Sequence, residues 1–294
     1  MKIAVFGKRF GQDFKDRFIE LWDGLKRYDC ELVVFKPFNR FLADEMGIRL
    51  PFDGSFIDTE GLKGTDLVLS IGGDGAFLES VTYVRDLGIP IAGINSGRLG
   101  FLADISKEGI SDMLPHIFKG SYKLRQLDLL EISTPGNDFG PLNFALNELA
   151  ITKRDNASMI TVQAWLNGEF LNSYWADGLI IATATGSTAY SLSVGGPIVH
   201  PNSPNFVISP IAPHNLTVRP FVIPNHIEIK LSVNARGGKF LASLDSRSVV
   251  LDEGTEIVLK KAGFCVNVLE IEGQSFYNTL RNKLMWGIDK RNWS

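Results

Sequence analysis

The stretch Thr65–Leu78, TDLVLSIGGDGAFL, constrains the chain most. Leu67, Val68, Leu69 and Ile71 make a short apolar run that suits a strand buried on both faces of a parallel sheet. The run stops at Gly72-Gly73-Asp74-Gly75, three glycines around one acid. Glycines permit a tight turn and let a ligand approach the backbone closely. A helical pattern starts at once: Phe77, Val81 and Val84 share a face, and Gly88 is placed to end it. Parallel-sheet proteins bind phosphates at such strand-to-helix turns, on free N–H groups at the helix N-terminus. Gly-Asp-Gly is also an ordinary turn sequence, so both readings stay open on these residues alone.

Strand and helix patterns alternate around this stretch. Ile3–Phe6 reads as an opening strand. Phe14, Phe18, Leu21 and Leu25 recur at helical spacing, Leu32–Phe35 is a second apolar run, and Ile89–Ile94 another. This alternation predicts a Rossmann-like parallel sheet with helices outside it. The segment 37–64 is less regular, and Phe38, Phe41, Phe52 and Phe56 read as core in preference to the underside of a mobile flap. From Lys123 the pattern changes. Leu124–Ile132, Leu142–Thr152, Met159–Leu166, Glu169–Tyr174, Ile227–Val233, Phe240–Leu244 and Glu256–Lys260 read as strands, with Asn167-Gly168 as a hairpin turn. The second half is therefore expected to be β-rich and sandwich-like, with antiparallel strands. The fold class is α/β plus all-β. Residues 1–107 read as the α/β domain and 108–274 as the β-rich domain. Phe276, Leu280 and Leu284 mark a closing amphipathic helix, 275–294, that returns to the first domain.

Composition excludes several classes. A net charge of −3 over 294 residues, with no long block of one sign, argues against a nucleic-acid groove or a polybasic membrane surface. The two cysteines, Cys30 and Cys265, show neither a disulfide framework nor metal-ligand spacing. The N-terminal apolar run is too short for a signal peptide, and no apolar stretch reaches membrane-spanning length. The chain reads as a soluble cytoplasmic protein. There is no G-x-x-x-x-G-K-[ST] P-loop and no G-x-G-x-x-G after a predicted strand. The four histidines do not cluster, which leaves a zinc site or a Ser-His-Asp triad unsupported.

Two further motifs carry chemistry. Asp177–Pro197, DGLIIATATGSTAYSLSVGGP, places Thr183, Thr185, Ser187, Thr188 and Ser191 among Gly186, Gly195 and Gly196 after a core strand. Hydroxyls beside glycines suit phosphate or ribose oxygens, and Tyr190 offers a stacking face for a ring. A Ser/Thr-rich turn is the plainer reading. Asn147-Glu148 ends the run Phe144–Leu149; neighbours on a strand face opposite ways, so one can meet a ligand while the other orients it, although spacing alone favours a surface pair over a site.

In this order the motifs resemble the NAD kinases. The residues that carry the resemblance are Gly72–Gly75, Gly97–Leu102 (GRLGFL), Asn147-Glu148, Asp177-Gly178, Thr185–Tyr190, Ile211–His214 and Leu280–Leu284 (LRNKL). The resemblance implies an active site between an α/β domain and a β-rich, NAD-binding domain. It implies phosphoryl transfer from ATP, or polyphosphate, to the adenosine 2′-hydroxyl of NAD, with a divalent metal, Mg²⁺, accompanying ATP. It implies a homo-oligomer, dimer or tetramer, in which a neighbouring chain completes each site. Asp74 is implied as the general base and Gly72, Gly73 and Gly75 as the turn that meets the phosphate donor. Asp74, Gly75, Asn147, Glu148, Asp177, Thr185, Thr188, Ala189, Tyr190, Ser191, Leu192, Ser193 and Ala212 are implied as NAD-binding. Two departures stand out: Ala76 replaces a common Thr, and Asp245-Ser246-Arg247 replaces an Asp-Gly-polar turn, which puts a ligand contact from Arg247 in doubt. A diacylglycerol-type lipid kinase shares the glycine turn. A non-catalytic NAD-binding module and a dehydrogenase compete with these readings; the intact Asp74 argues against the module and the missing fingerprint against the dehydrogenase.

Overall fold

A computed structural model describes residues 1–154, 158–273 and 275–286. In chain order the elements are β1 (Lys2–Gly7), α1 (Lys15–Lys26), β2 (Glu31–Phe35), α2 (Lys36–Asp44), β3 (Gly54–Phe56), β4 (Leu67–Gly72), α3 (Asp74–Val84), β5 (Ile91–Asn95) and α4 (Ile110–Lys119). There follow β6 (Tyr122–Ser133), β7 (Phe144–Ala145), β8 (Glu148–Lys153), β9 (Ile160–Leu166), β10 (Glu169–Ala176), β11 (Gly178–Thr183) and α5 (Tyr190–Ser193). The chain continues through β12 (Asn205–Ile211), β13 (Phe221–Pro224), β14 (Ile229–Asn234), β15 (Lys239–Leu244), β16 (Arg247–Asp252), β17 (Glu256–Ile271) and α6 (Phe276–Leu284). Two compact units result: Met1–Gln126 with the chain from Val266 onward, and Leu127–Cys265.

In the first unit β5, β4, β1, β2 and β3 pair in that order, all parallel, with Val268 of β17 beside Ile91. Every residue of β4 is buried, as its unbroken apolar run requires of a strand with both faces covered. The order reverses around β1 and β4, so their carboxyl ends open the crevice in which such sheets receive ligands. Segment 37–64 is more regular than its sequence suggests. α2 starts at Lys36-Pro37, with proline's fixed φ at its first turn. It buries Phe38 and Phe41 among Phe10, Phe14 and Phe18, at ring separations of 5.1–6.1 Å. Phe56 joins the core, whereas Phe52 does not and is 36% exposed. α3 ends earlier than Gly88: it stops at Val84, and Arg85 turns the chain at φ +49°.

The second unit is two antiparallel sheets around one core. One runs β10-β9-β14 and on to the N-terminal part of β17, and the other β13-β12-β11-β8-β15-β16. Val162, Leu231 and Leu259 from the first sheet meet Leu149, Ile181, Phe206 and Phe240 from the second, all buried. Asn167-Gly168 makes the β9–β10 turn, both at positive φ. The single strand expected over Leu142–Thr152 is instead β7 and β8, interrupted at Leu146-Asn147. The closing helix is observed as α6; residues 287–294 of the expected 275–294 lie outside the described residues. Among the described residues no helix is long and apolar enough to cross a membrane.

Phe206 is fully buried in the sandwich core. Replacing it with Ala is expected to destabilise the second unit by about 3–5 kcal/mol, the usual cost of an emptied aromatic core site. Urea unfolding followed by fluorescence checks this.

Candidate active site

The glycine turn in the first unit is built for close approach. Gly72 sits at φ +146°, and a Cβ there would meet Ala76 Cβ at 2.6 Å. Gly73 and Gly75 are exposed with open space where a Cβ would stand. Gly73 has no side chain to cap α3, and a helix N-terminus without a cap favours anions.

Asp74 does not cap its own helix. Its carboxylate reaches the GRLGFL turn: Oδ2 accepts the Phe101 N–H at 3.0 Å, and Oδ1 accepts those of Leu102 and Ala103 at 2.9 and 3.0 Å. Lys283 of α6 places Nζ 3.3 Å from Oδ2. Burial alone would raise this carboxyl's pKa. The three backbone hydrogen bonds and Lys283 outweigh it and hold the group below its ordinary value, so Asp74 is ionised at neutral pH. Gly100 has to be glycine for this docking, since a Cβ there would stand 1.9 Å from Asp74 Oδ1. Asn95 finishes the turn: its Oδ1 accepts the Gly97 N–H at 2.7 Å and its Nδ2 donates to Arg98 O at 2.5 Å. The Ser96 N–H binds Gly72 O at 3.1 Å, which ties the two turns together.

Beside the Gly72 turn lies a cavity of about 620 Å³ at the carboxyl ends of β1 and β2. Lys8, Arg9, Phe35, Phe38, Arg40 and Glu79 are among its walls. Lys8 pairs with Glu79, and a Cβ at Gly72 would come within 4.0 Å of Lys8 Cβ.

The second unit gathers its motifs where β8 begins and β11 ends, next to each other across an antiparallel pair with Ala182 opposite Glu148. Thr183 Oγ1 donates to Leu146 O at 2.6 Å and accepts the Gly186 N–H at 3.0 Å. This pulls the Thr185–Thr188 turn onto Asn147 so closely that a Cβ on Gly186 would lie 2.1 Å from Asn147 O. Several hydroxyls are thereby spent on structure. Ser187 bonds Ala184 O and Val199, and Ser191 bonds Ser209, with all three serines buried. Thr188, Ala189 and Leu192 are half-buried, whereas Tyr190 and Ser193 are exposed. Thr185 Oγ1 and Glu148 Oε2 are buried without a hydrogen-bond partner among the described residues, which suits a polar ligand.

What sequence reasoning missed here is the role of Asp245. At φ +50° its carboxylate accepts the N–H groups of Leu146, Asn147 and Glu148 at 3.0, 2.9 and 3.2 Å. It thus stations the Asn147-Glu148 pair. Arg247 donates to Leu142 O and Phe144 O and lies over the Phe144 ring, a strut rather than a ligand-facing group. Burial, and then the nearby Asp245, push the Glu148 carboxyl up to about 8. Burial raises Asp245 too, but three N–H donors favour its charged form; Glu148 has one, from Tyr190, and keeps the proton.

Asp177 and Ala212 are not part of this cluster. They flank the Gly178–Ile211 register at the opposite end of β11, with Asp177 ion-paired to Lys153 at 2.7 Å. The six residues of β11 put the two ends roughly 20 Å apart at ~3.3 Å per residue.

Comparison with known proteins names the group. A family model described as the ATP-NAD kinase N-terminal domain matches residues 43–122, and one described as the ATP-NAD kinase C-terminal domain matches 146–267. The NAD kinase of Cytophaga hutchinsonii is 44% identical over 293 residues, which covers 99% of this chain and all of that one. The chain belongs to the NAD kinase family. Another NAD kinase, from Bacteroides fragilis, is 41% identical over 291 residues, covering 99% of this chain and all of that one. Among solved structures, an NAD kinase from Archaeoglobus fulgidus in complex with ATP superposes with TM-score 0.75 at 26% identity, covering 97% of this chain and 99% of that one. A yeast NADH kinase complexed with NADH has TM-score 0.89 at 22% identity, covering 100% and 90%, and shares the fold. In NAD kinase terms, the turn, the Asn-Glu pair and the Thr-Gly-Ser-Thr segment all stand at strand ends, where rigid elements hold them.

An acid with a raised folded pKa binds protons more tightly in the fold than in the unfolded chain. Its stabilising contribution is complete below the unfolded value, 4.5, and is lost as pH climbs through about 8. Glu148→Gln is therefore expected to flatten the fall in stability between roughly pH 5 and pH 8, and to exceed wild type at the alkaline end. Urea unfolding at several pH values measures this.

Proposed function

We propose that this protein phosphorylates NAD at the 2′-hydroxyl of its adenosine ribose, with ATP as donor, to give NADP. The observation that carries the reading is the Asp74 carboxylate, ionised and fixed at a glycine turn with open space at Gly73 and Gly75. Asp74 accepts the proton as the 2′-oxygen bonds to the γ-phosphorus and the bond from that phosphorus to the bridging oxygen breaks, releasing ADP. A carboxylate with a lowered pKa is a weak base. In a loose phosphoryl-transfer transition state, however, most of the work is positioning and charge stabilisation, and what is asked of Asp74 is an aimed acceptor. The N–H groups of residues 73–75 take donor phosphate oxygens. Mg²⁺ carried by ATP would offset charge on the transferred group; among the described residues no three His, Cys, Asp or Glu side chains converge on a metal position. The cavity beside Lys8 has room for the nucleoside part of the donor, which favours ATP over polyphosphate.

Asn147 and Glu148 fix the adenosine ribose and base, and protonated Glu148 does so as a hydrogen-bond donor. Thr185, Thr188, Ala189, Tyr190, Ser191, Leu192 and Ser193 line the dinucleotide pocket, with Ser191 shaping it from below. Asp177 and Ala212 lie a strand's length from that cluster. Their part in the nicotinamide pocket is supplied to a neighbouring chain, in keeping with a homo-oligomer.

Purified protein given NAD and each donor in turn, with NADP formation as readout, tests the reading. ATP should support turnover. Asp74→Asn is expected to cut kcat by at least ~10²-fold, the lower end of what a positioned proton acceptor contributes, while NAD binding stays measurable by calorimetry. Turnover of a diacylglycerol in place of NAD would overturn the reading.

A further inference from the structure

One cation bears directly on Asp74, and it comes from the far end of the chain. α6 presents Phe276, Thr279, Leu280 and Lys283 along one face, at spacings of three and four residues. Thr279 and Leu280 are buried, and the Phe276 ring stands 6.2 Å from Phe101. Ser275 caps the helix by accepting the Asn278 N–H at 3.2 Å. So docked, α6 lays Lys283 across the GRLGFL turn, with Nζ 4.6 Å from the centre of the Phe101 ring and 3.3 Å from Asp74 Oδ2. Ring and carboxylate hold one ammonium from two sides.

The two oxygens of Asp74 differ in what they have left to give. Oδ1 accepts two backbone N–H groups at 2.9 and 3.0 Å. Oδ2 accepts one, from Phe101, and its remaining contact is the longer one to Lys283. The lysine and aspartate side chains are 32% and 30% exposed, so this contact lies at the open edge of the site. Oδ2 is thus the less tightly engaged of the two oxygens.

We propose that Lys283 is a positioning residue for the phosphoryl transfer, holding Oδ2 of Asp74 turned toward the acceptor hydroxyl. The ammonium supplies a favourable charge that moves with the carboxylate and does not compete for the hydroxyl's proton, because an ammonium has no lone pair to accept one. This inference rests on the reading of Asp74 as proton acceptor. The other charged groups facing this corner are Asp104, just beyond the clamped turn, and Arg125 and Glu270 around it. All three stay in the chain when Lys283 alone is replaced, and because burial raises Asp104 to about 7, the limb that reports on Asp74 is the one below it.

The test is a steady-state pH profile of wild type, Lys283→Met, Lys283→Gln and Lys283→Arg, with thermal midpoints measured alongside. Met keeps the apolar stem over Phe101 and removes the charge; Gln is a second neutral variant should Met disturb the helix. Expected are a fall in kcat on the order of tenfold in both neutral variants and a KM for NAD within about threefold of wild type. The acid limb of kcat should rise by roughly half a unit or more, since losing a nearby cation raises a carboxyl's pKa. Arg should restore both kcat and the limb. A neutral variant with wild-type kcat and an unmoved limb would overturn the proposal, as would an Arg variant as impaired as Met with the limb in place. A wild-type protein that makes no NADP would instead defeat the parent reading.

Discussion

A single device recurs in each of the two units: a carboxylate that accepts three consecutive backbone N–H groups. Asp74 does this for residues 101–103, and Asp245 for 146–148. Three adjacent N–H dipoles pointing inward form an anion-binding nest, and without a partner each buried donor would cost about 1–3 kcal/mol. The carboxylate answers all three at once through charge-assisted bonds, which outweigh the effect of burial at Asp74 but not at Asp245. The consequence is geometric. The GRLGFL turn cannot keep its shape without Asp74, and the Asn147-Glu148 pair cannot keep its place without Asp245.

The device also sorts charge. Asp74 is held below its ordinary range and is negative under all physiological conditions, with Lys283 beside it. Asp245 takes the donors that Glu148 would otherwise compete for, and Glu148 is left buried, proton-bearing and with one oxygen unpartnered among the described residues. One carboxyl thus becomes an acceptor and another a donor, through burial, donor count and the nearest charge. Rigid surroundings make the difference last. Asp74 opens α3 directly after a fully buried strand, and Asp245 sits between β15 and β16 at a left-handed position.

Much of this was legible in the sequence, and the reason is locality. The run Leu67–Ile71 followed by glycines and a helical face needs only neighbouring residues to announce strand, turn and helix. The hairpin at Asn167-Gly168 is equally local. α2 escaped because Phe38, Phe41, Phe52 and Phe56 have no common period and because Pro37 reads as a breaker when it in fact opens the helix. β12, β13 and β16 escaped because prolines interrupt or flank the first two and a short loop precedes the third. In the site, Asp74 was visible as the lone acid among glycines. Its partners were not: Lys283 is 209 residues away, and Asp245 is 97–99 residues from the amides it holds. Gly100 reads as a turn glycine, yet its necessity comes from the Asp74 oxygen that fills its missing side chain's space. The Ser/Thr-rich segment shows the converse. Its hydroxyls look uniformly ligand-directed in sequence, whereas Ser187 is turned inward to Ala184 and Val199, and Ser191 to Ser209 of β12.

Backbone hydrogen exchange at Phe101, Leu102 and Ala103 tests the clamp most directly, compared between wild type and Asp74→Asn and read by NMR or mass spectrometry. If the Asp74 carboxylate holds this turn, exchange at these three amides should speed up by on the order of tenfold or more in the variant, while β4 and β5 keep their protection. Unchanged exchange at all three amides would contradict it.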